Sequence, residues 1–178
     1  MRKRKMIAAG LVFMFLLQLL VGCSDTNSDK ALDATLYSYA NDWVDEVFLA
    51  SKKVKGAYYR NENTDTSGEE KWIEDESAPD SRTFIITTEE RYDEIFVSAS
   101  SPDIDFEKQT VILYIASDVT LRNYDLKAIN LRQDALTVKM KLERGDPIFD
   151  DSVMNYPRCF MLVIKKIEIT KVKFEEIK

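Results

Sequence analysis

Residues 135–143 read Ala-Leu-Thr-Val-Lys-Met-Lys-Leu-Glu and alternate without a fault: Leu136, Val138, Met140 and Leu142 point one way, Thr137, Lys139, Lys141 and Glu143 the other. A period of two is that of a strand, and the clean division puts one face on a core and the other in water, the habit of antiparallel sheets. The preceding segment "YDLKAINL" (124–131) is predicted to pair with it through a hairpin-length turn at Arg132 to Asp134. Upstream again, "TVILYIAS" (110–117) is apolar at both parities, which suits a strand buried on two sides. Beyond the loop "RGDPIFDDSVMNYP" (144–157), "RCFMLVIKK" (158–166) and "EITKVKF" (168–174) read as two final strands.

Towards the N-terminus, "TFIITT" (83–88) is a β-branched strand, and Thr87 with Glu90 has the spacing of a capping box opening a helix through "EERYDEIF", with Tyr92, Ile95 and Phe96 as its apolar side. Leu32, Leu36, Tyr39, Trp43 and Val47 recur at helical spacing, with Val44, Phe48 and Leu49 widening the stripe, which predicts a further helix whose end is not fixed by the pattern. Residues 61–82 are the most polar stretch and read as a surface loop with a short strand near Lys71 to Ile73. The expected fold is therefore α+β over a single domain, residues 32–178, built on a mainly antiparallel sheet or β-sandwich with one or two helices.

Residues 1–22 are of another kind. Arg2 to Lys5 are basic, Met6 to Val21 are apolar except for Gly10 and Gln18, and Gly22 precedes Cys23. That is the order of a secretory signal, and Leu20-Val21-Gly22-Cys23 resembles the bacterial lipobox, in which the thiol is acylated and the chain is cut before it. Acyl chains contribute ~0.8 kcal/mol per buried methylene, so an acylated Cys23 anchors a domain to a membrane without a spanning helix. The expectation is a signal peptide over 1–22, lipidation of Cys23, a polar tether over 23–31, and a lipid-anchored domain on the extracytoplasmic face of a bacterial membrane.

The whole chain has a formal charge of −6, and removal of the signal, which holds four basic and no acidic side chains, makes it −10. This disfavours nucleic acid as a partner, because a polyphosphate is held by a basic patch. The absence of histidine removes Ser-His and Cys-His catalysis and His-ligated zinc. Cys159, in the run Cys159 to Ile164, reads as a small buried hydrophobe. The acidic group Glu74, Asp75, Glu76 and Asp80 reads as a solvated loop. Asp103 to Glu107 lacks the glycine and distal glutamate of a calcium loop, and its alternation packs Ile104 and Phe106 instead. Asp146, Asp150 and Asp151 offer carboxylates without a partner to separate their acidities. The tyrosines and tryptophans read as core and rim, with a groove lined by Tyr58, Tyr59, Trp72 and Tyr124 as the alternative. No catalytic residue, metal site or cofactor is expected.

The stretch from about Arg82 to Phe174 resembles the C-terminal domain of the PrcB family, named for a lipoprotein subunit of a cell-surface protease complex. The similar parts are the "RTFIITTEERYDEIF" strand and helix, "DFEKQTVILY", a hairpin, and "YPRCFMLVIKK" followed by "VKF", with Asp105, Phe106, Pro157 and Cys159 to Lys165 the most family-like positions. A Gly-Gly-Tyr element frequent in the family is here Arg122-Asn123-Tyr124. The resemblance implies a non-catalytic accessory domain with a protein partner in the cell envelope; the alternative is a small-ligand or cation-binding lipoprotein. Phe149, Tyr156 and Pro157, in the loop that leads into the strand at Arg158, are the expected partner-binding residues, because recognition tends to sit on loops held by a rigid sheet.

Overall fold

The computed structural model describes residues 32–60, 72–118, 123–143 and 155–177. In order along the chain these form β1 (Ala34–Tyr37), a 3-10 turn (Asn41–Trp43), α1 (Glu46–Ser51), β2 (Tyr58–Arg60), β3 (Trp72–Glu74), β4 (Ser81–Ile86), α2 (Glu89–Asp93), β5 (Gln109–Asp118), β6 (Tyr124–Arg132), β7 (Ala135–Leu142), β8 (Tyr156–Lys165) and β9 (Lys171–Ile177). A four-stranded antiparallel sheet has the order β1-β8-β5-β4, a three-stranded sheet the order β6-β7-β9, and β2 pairs with β3 alone. The expected α+β, sheet-dominated architecture is the observed one.

The central pair β5 and β8 is apolar at both parities, so it buries two faces. Val111, Leu113, Ile115, Cys159, Met161 and Val163 point to a layer made by α1, α2 and the β2–β3 pair, where Val44, Tyr59, Tyr92, Ile95 and Phe96 cover them. Ile112, Phe160, Leu162 and Ile164 point the other way and meet Leu136, Val138, Met140 and Tyr124 of the second sheet. The molecule is a sandwich with a helical third layer. The alternation that predicts β7 is the one observed, since Leu136, Val138 and Met140 are buried and Thr137, Lys139 and Lys141 are not.

The β6–β7 turn falls where the sequence places it. Arg132 pairs with Ala135 across two residues, and Gln133 takes the left-handed backbone, φ 55°. Lys127 is the extra residue of a bulge in β6, between the paired Leu126 and Ala128. One pairing departs from the antiparallel pattern: β9 runs parallel to β7. The strand between them in sequence, β8, belongs to the other sheet, so the chain returns to its first sheet in the original direction. The turn also seeds β9, because the Asp134 carbonyl accepts from Thr170 N (2.9 Å) and the Asp134 carboxylate from the Thr170 hydroxyl.

Two local expectations are corrected. The stripe from Leu32 to Val47 is not one helix: it is β1, a 3-10 turn and the start of α1. The edge of β8 decides this, since β1 pairs with it from Ala34↔Ile164 to Tyr37↔Met161, and Ala34 and Leu36 enter one core while Tyr37 enters the other. Val47, part of the supposed apolar face, is 78% exposed. Tertiary pairing outweighs a five-residue coincidence of spacing. The second correction is the cap of α2, which is Thr88, whose hydroxyl accepts from Arg91 N (3.3 Å), one residue after the predicted Thr87. The expected short strand is β3, Trp72–Glu74, and Ile104 and Phe106 pack as expected against the helical-side core.

Met140 is buried in the inter-sheet core and Lys139 faces solvent. Met140→Asp should therefore cost about 3 kcal/mol or more, by burying an unpaired carboxylate, while Lys139→Gln should stay within ~0.5 kcal/mol of the parent. Equal urea midpoints for the two variants would show that the face assignment of β7 is wrong.

Candidate functional site

Along β8, Tyr156, Arg158, Phe160, Leu162 and Ile164 share the parity that faces the second sheet. At Arg158 this puts a guanidinium inside the sandwich, with no exposed side-chain surface. Its Nε and Nη2 donate to the Ser38 carbonyl at 2.8 and 2.6 Å. Its Nη1 lies 3.6 Å from Asp118 Oδ2, an ion pair rather than a hydrogen bond at that length, and the same carboxylate oxygen accepts from the Tyr124 hydroxyl at 2.9 Å. The rings of Phe160, Tyr124 and Tyr39 stand 5.0, 5.4 and 5.9 Å from the guanidinium carbon. Arginine suits such a place because its planar, weakly hydrated cation both forks onto an oxygen and stacks on rings.

The carbonyl that Arg158 grips belongs to a short segment that replaces β1 along the edge of β8. Pairing of β1 ends at Tyr37; then Ala40 N donates to the Cys159 carbonyl (2.8 Å), Asn41 Nδ2 donates to the Pro157 carbonyl (2.7 Å), and Cys159 N donates to Asn41 Oδ1 (2.9 Å). The Asn41 side-chain amide thus acts as a peptide group of a missing strand, satisfying one acceptor and one donor of the β8 edge. Tyr39 sits between these contacts, 39% exposed, and its phenol is held above its ordinary pKa by burial first and by Asp42 second.

Four strand ends meet here. Asp118 closes β5 opposite Tyr156, which opens β8, and Tyr124 opens β6 opposite Leu142, which closes β7. The described residues that flank segments 119–122 and 144–154 lie at this end of the sandwich. A cavity of about 190 Å³ lies beside it, lined by Tyr114, Asp118, Tyr124, Met140, Phe174 and Glu176 among others, with Tyr114 and Phe174 stacked at 4.2 Å. It is below the ~300 Å³ at which pockets for organic ligands begin, and its size and polar rim suit a few water molecules.

Of the expected site residues, Tyr156 and Pro157 are placed in β8, half-buried, so the strand begins two residues earlier than the sequence suggests. Tyr156 shares the inter-sheet parity with Arg158, and the carbonyl of Pro157 is taken by Asn41. Cys23, Phe149, Asp146, Asp150 and Asp151 lie outside the described residues, as do the signal and tether. Arg158, Asp118 and Tyr124 were missed as a unit. The available signal was parity: each is a polar residue at an inward position of a strand.

Tyr59 and Tyr124 are core residues, as the first reading of the aromatics has it, and they do not share a groove. Tyr59 belongs to the helical-side core, where its hydroxyl accepts from Val54 N (2.8 Å), while Tyr124 belongs to the inter-sheet core, and the central sheet lies between them. The acidic groups are used locally. Glu74 accepts from Gly56 N (2.8 Å), where the backbone takes φ 78°, and Asp75 caps a turn through Ser77, whose hydroxyl is the main reason its carboxyl is held below the ordinary value. Asp105 accepts from Glu107 N and pairs with Lys108 (2.6 Å), which lowers its pKa in the same way. Among the described residues no three acids or cysteines converge as metal ligands. Cys159 is buried, and burial pushes its thiol up to about 12.

Two outcomes follow from this geometry. Arg158→Ala should cost about 3–5 kcal/mol in chemical denaturation, because it removes the cation that faces the buried Asp118 carboxylate and the donors to the Ser38 carbonyl, and Arg158→Lys should recover only part of that, lacking the fork. Cys159 should resist thiol reagents at pH 8 until the chain unfolds. Since an unfolded thiol ionises near ~8.5 and the folded one near 12, the buried thiol contributes stability below about pH 8.5 that is lost as pH rises through about 12. Rapid labelling of native protein at pH 8 would contradict this burial.

Comparison with known proteins found no match: no family model fits the chain, and no curated protein or solved structure is similar to it.

Proposed function

We infer that this chain is a lipid-anchored extracytoplasmic lipoprotein whose folded part is a non-catalytic binding module, an accessory domain for a protein of the cell envelope. The observation that carries the reading is the convergence of four strand ends at Asp118, Tyr124, Leu142 and Tyr156 around a buried Arg158, which fixes the described residues on either side of segment 144–154 in a rigid frame. Rigid framing of a loop lowers the ordering cost of recognition. Among the described residues the Cys159 thiol is buried and protonated, and the Arg158 guanidinium is committed to a backbone carbonyl. The leader and the Leu20 to Cys23 tetrapeptide support the anchor, and no helix among the described residues is long and apolar enough to cross a membrane. The resemblance to the PrcB family over 82–174 points to a cell-surface protease as the partner.

The anchor and the loop are tested separately. Cys23→Ala should abolish fatty-acid labelling and move the protein out of the detergent phase; a variant that still labels and partitions would overturn the anchor. For the loop, Phe149→Ala and Tyr156→Ala in the full lipidated chain should each weaken capture of a crosslinked envelope protease by about 2 kcal/mol, roughly thirtyfold, if they are central anchors. Undiminished capture by variants that melt like the parent would remove this end of the sandwich from consideration.

A further inference from the structure

The outward face of the β6–β7–β9 sheet is unlike the rest of the molecule in charge. Register places Arg132, Lys139, Lys141, Lys171 and Lys173 on that face, with Lys127 beside them at the β6 bulge. Three acids share it. Asp125 pairs with Lys127 (2.6 Å), Glu175 pairs with Lys173 (2.9 Å), and Glu143 stands at the end of β7. Six cations against three anions give this one surface a positive balance in a chain whose formal charge is −6 before signal removal. The opposite side is the reverse: segments 41–57 and 74–107, which supply the helical layer and the edge strand β4, hold 14 acidic and five basic side chains. The domain is therefore an electrostatic dipole across its layers, basic on the outer sheet and acidic on the helices.

We propose that the outer face of the β6–β7–β9 sheet is a docking surface for an anionic lipid bilayer, on which the tethered domain lies with its helical layer turned away. This rests on the reading that Cys23 is acylated. The tether supports it: residues 23–31 span at most ~32 Å when extended, about one diameter of a domain of this size. That length lets the domain turn any face to the membrane and keeps every face close to it, so charge decides the orientation. Each lysine or arginine near an anionic leaflet is attracted, while the acids of the helical layer are repelled, and both effects favour the same pose. Docking by the sheet leaves the strand ends at Asp118 and Tyr156 at the side of the particle, open to a protein partner.

The test uses the mature lipidated protein reconstituted on vesicles of phosphatidylcholine alone or with added phosphatidylglycerol, followed by amine labelling and peptide mass spectrometry. In ~0.1 M salt, Lys141 and Lys171 should label about fivefold or more slowly on the anionic vesicles, protection should vanish in ~1 M salt, and Lys55 on the helical side should be indifferent to lipid. In the Lys139→Glu/Lys173→Glu variant the two lipids should give the same rates at Lys141 and Lys171. Equal rates for the parent protein would overturn the proposal. So would protection that is independent of lipid charge, which signals a second copy, or protection that appears only on adding envelope extract, which signals an acidic protein. A protein that sediments with neither vesicle has no anchor, and both readings then fall together; one that sediments with both but labels equally sinks only the docking face.

Discussion

The pairing of β5 with β8, ten residues on each strand, sets the position of everything else. Because both strands are apolar at both parities, the pair has two faces to cover and no single layer can do it. One face takes the helices and the β2–β3 pair, the other takes the second sheet. The short elements have little independent stability: α1 has six residues and α2 five, well below the length at which a helix holds itself together in water. They exist because Phe48, Tyr92, Ile95 and Phe96 are held against the face that β5 and β8 present.

A strand pair of this kind needs its edges closed, and the way β8 is closed produces the polar centre of the molecule. For four residues β1 does it with backbone. After Tyr37 the chain turns away, and Asn41 completes the ladder with its side chain while Arg158 holds the turning segment through Ser38. The cation this brings inside is balanced by Asp118 and surrounded by rings. Replacing such a group by a hydrophobe is not forbidden by energetics, since buried ion pairs are weak net contributors. Its effect is geometric: it fixes where β1 ends, and it ties the ends of β5, β6 and β8 to one point.

That point and the outer sheet face give the domain two surfaces of different character. At the strand ends lies a buried cluster of Arg158, Asp118 and aromatic rings, on the sheet face an exposed basic row, and they are roughly at right angles because one lies at the ends of the strands and the other on their flat side. On the proposed reading, a tethered module with this arrangement would rest on a bilayer through one surface and present the other laterally. The parallel β7–β9 pairing matters to this, since it is β9 that adds Lys171 and Lys173 to the row begun by Lys139 and Lys141.

The strands were legible in the sequence wherever a local pattern coincided with what tertiary packing required. The alternation in 135–143, the two-sided apolar runs of 110–117 and 159–164, and the turn at Arg132 to Asp134 are each dictated by which side chains must leave water. What the sequence did not reveal were relations between distant segments. The Leu32 to Val47 stripe fits a helix by spacing, and only the open edge of β8, more than a hundred residues away, makes it a strand. The direction of β9 depends on β8 having crossed to the other sheet, which no window of residues records. Arg158, Asp118 and Tyr124 each look unremarkable alone; a buried charge becomes tolerable only when its partners arrive from two other strands and from the Ser38 segment, and that meeting is decided by the fold.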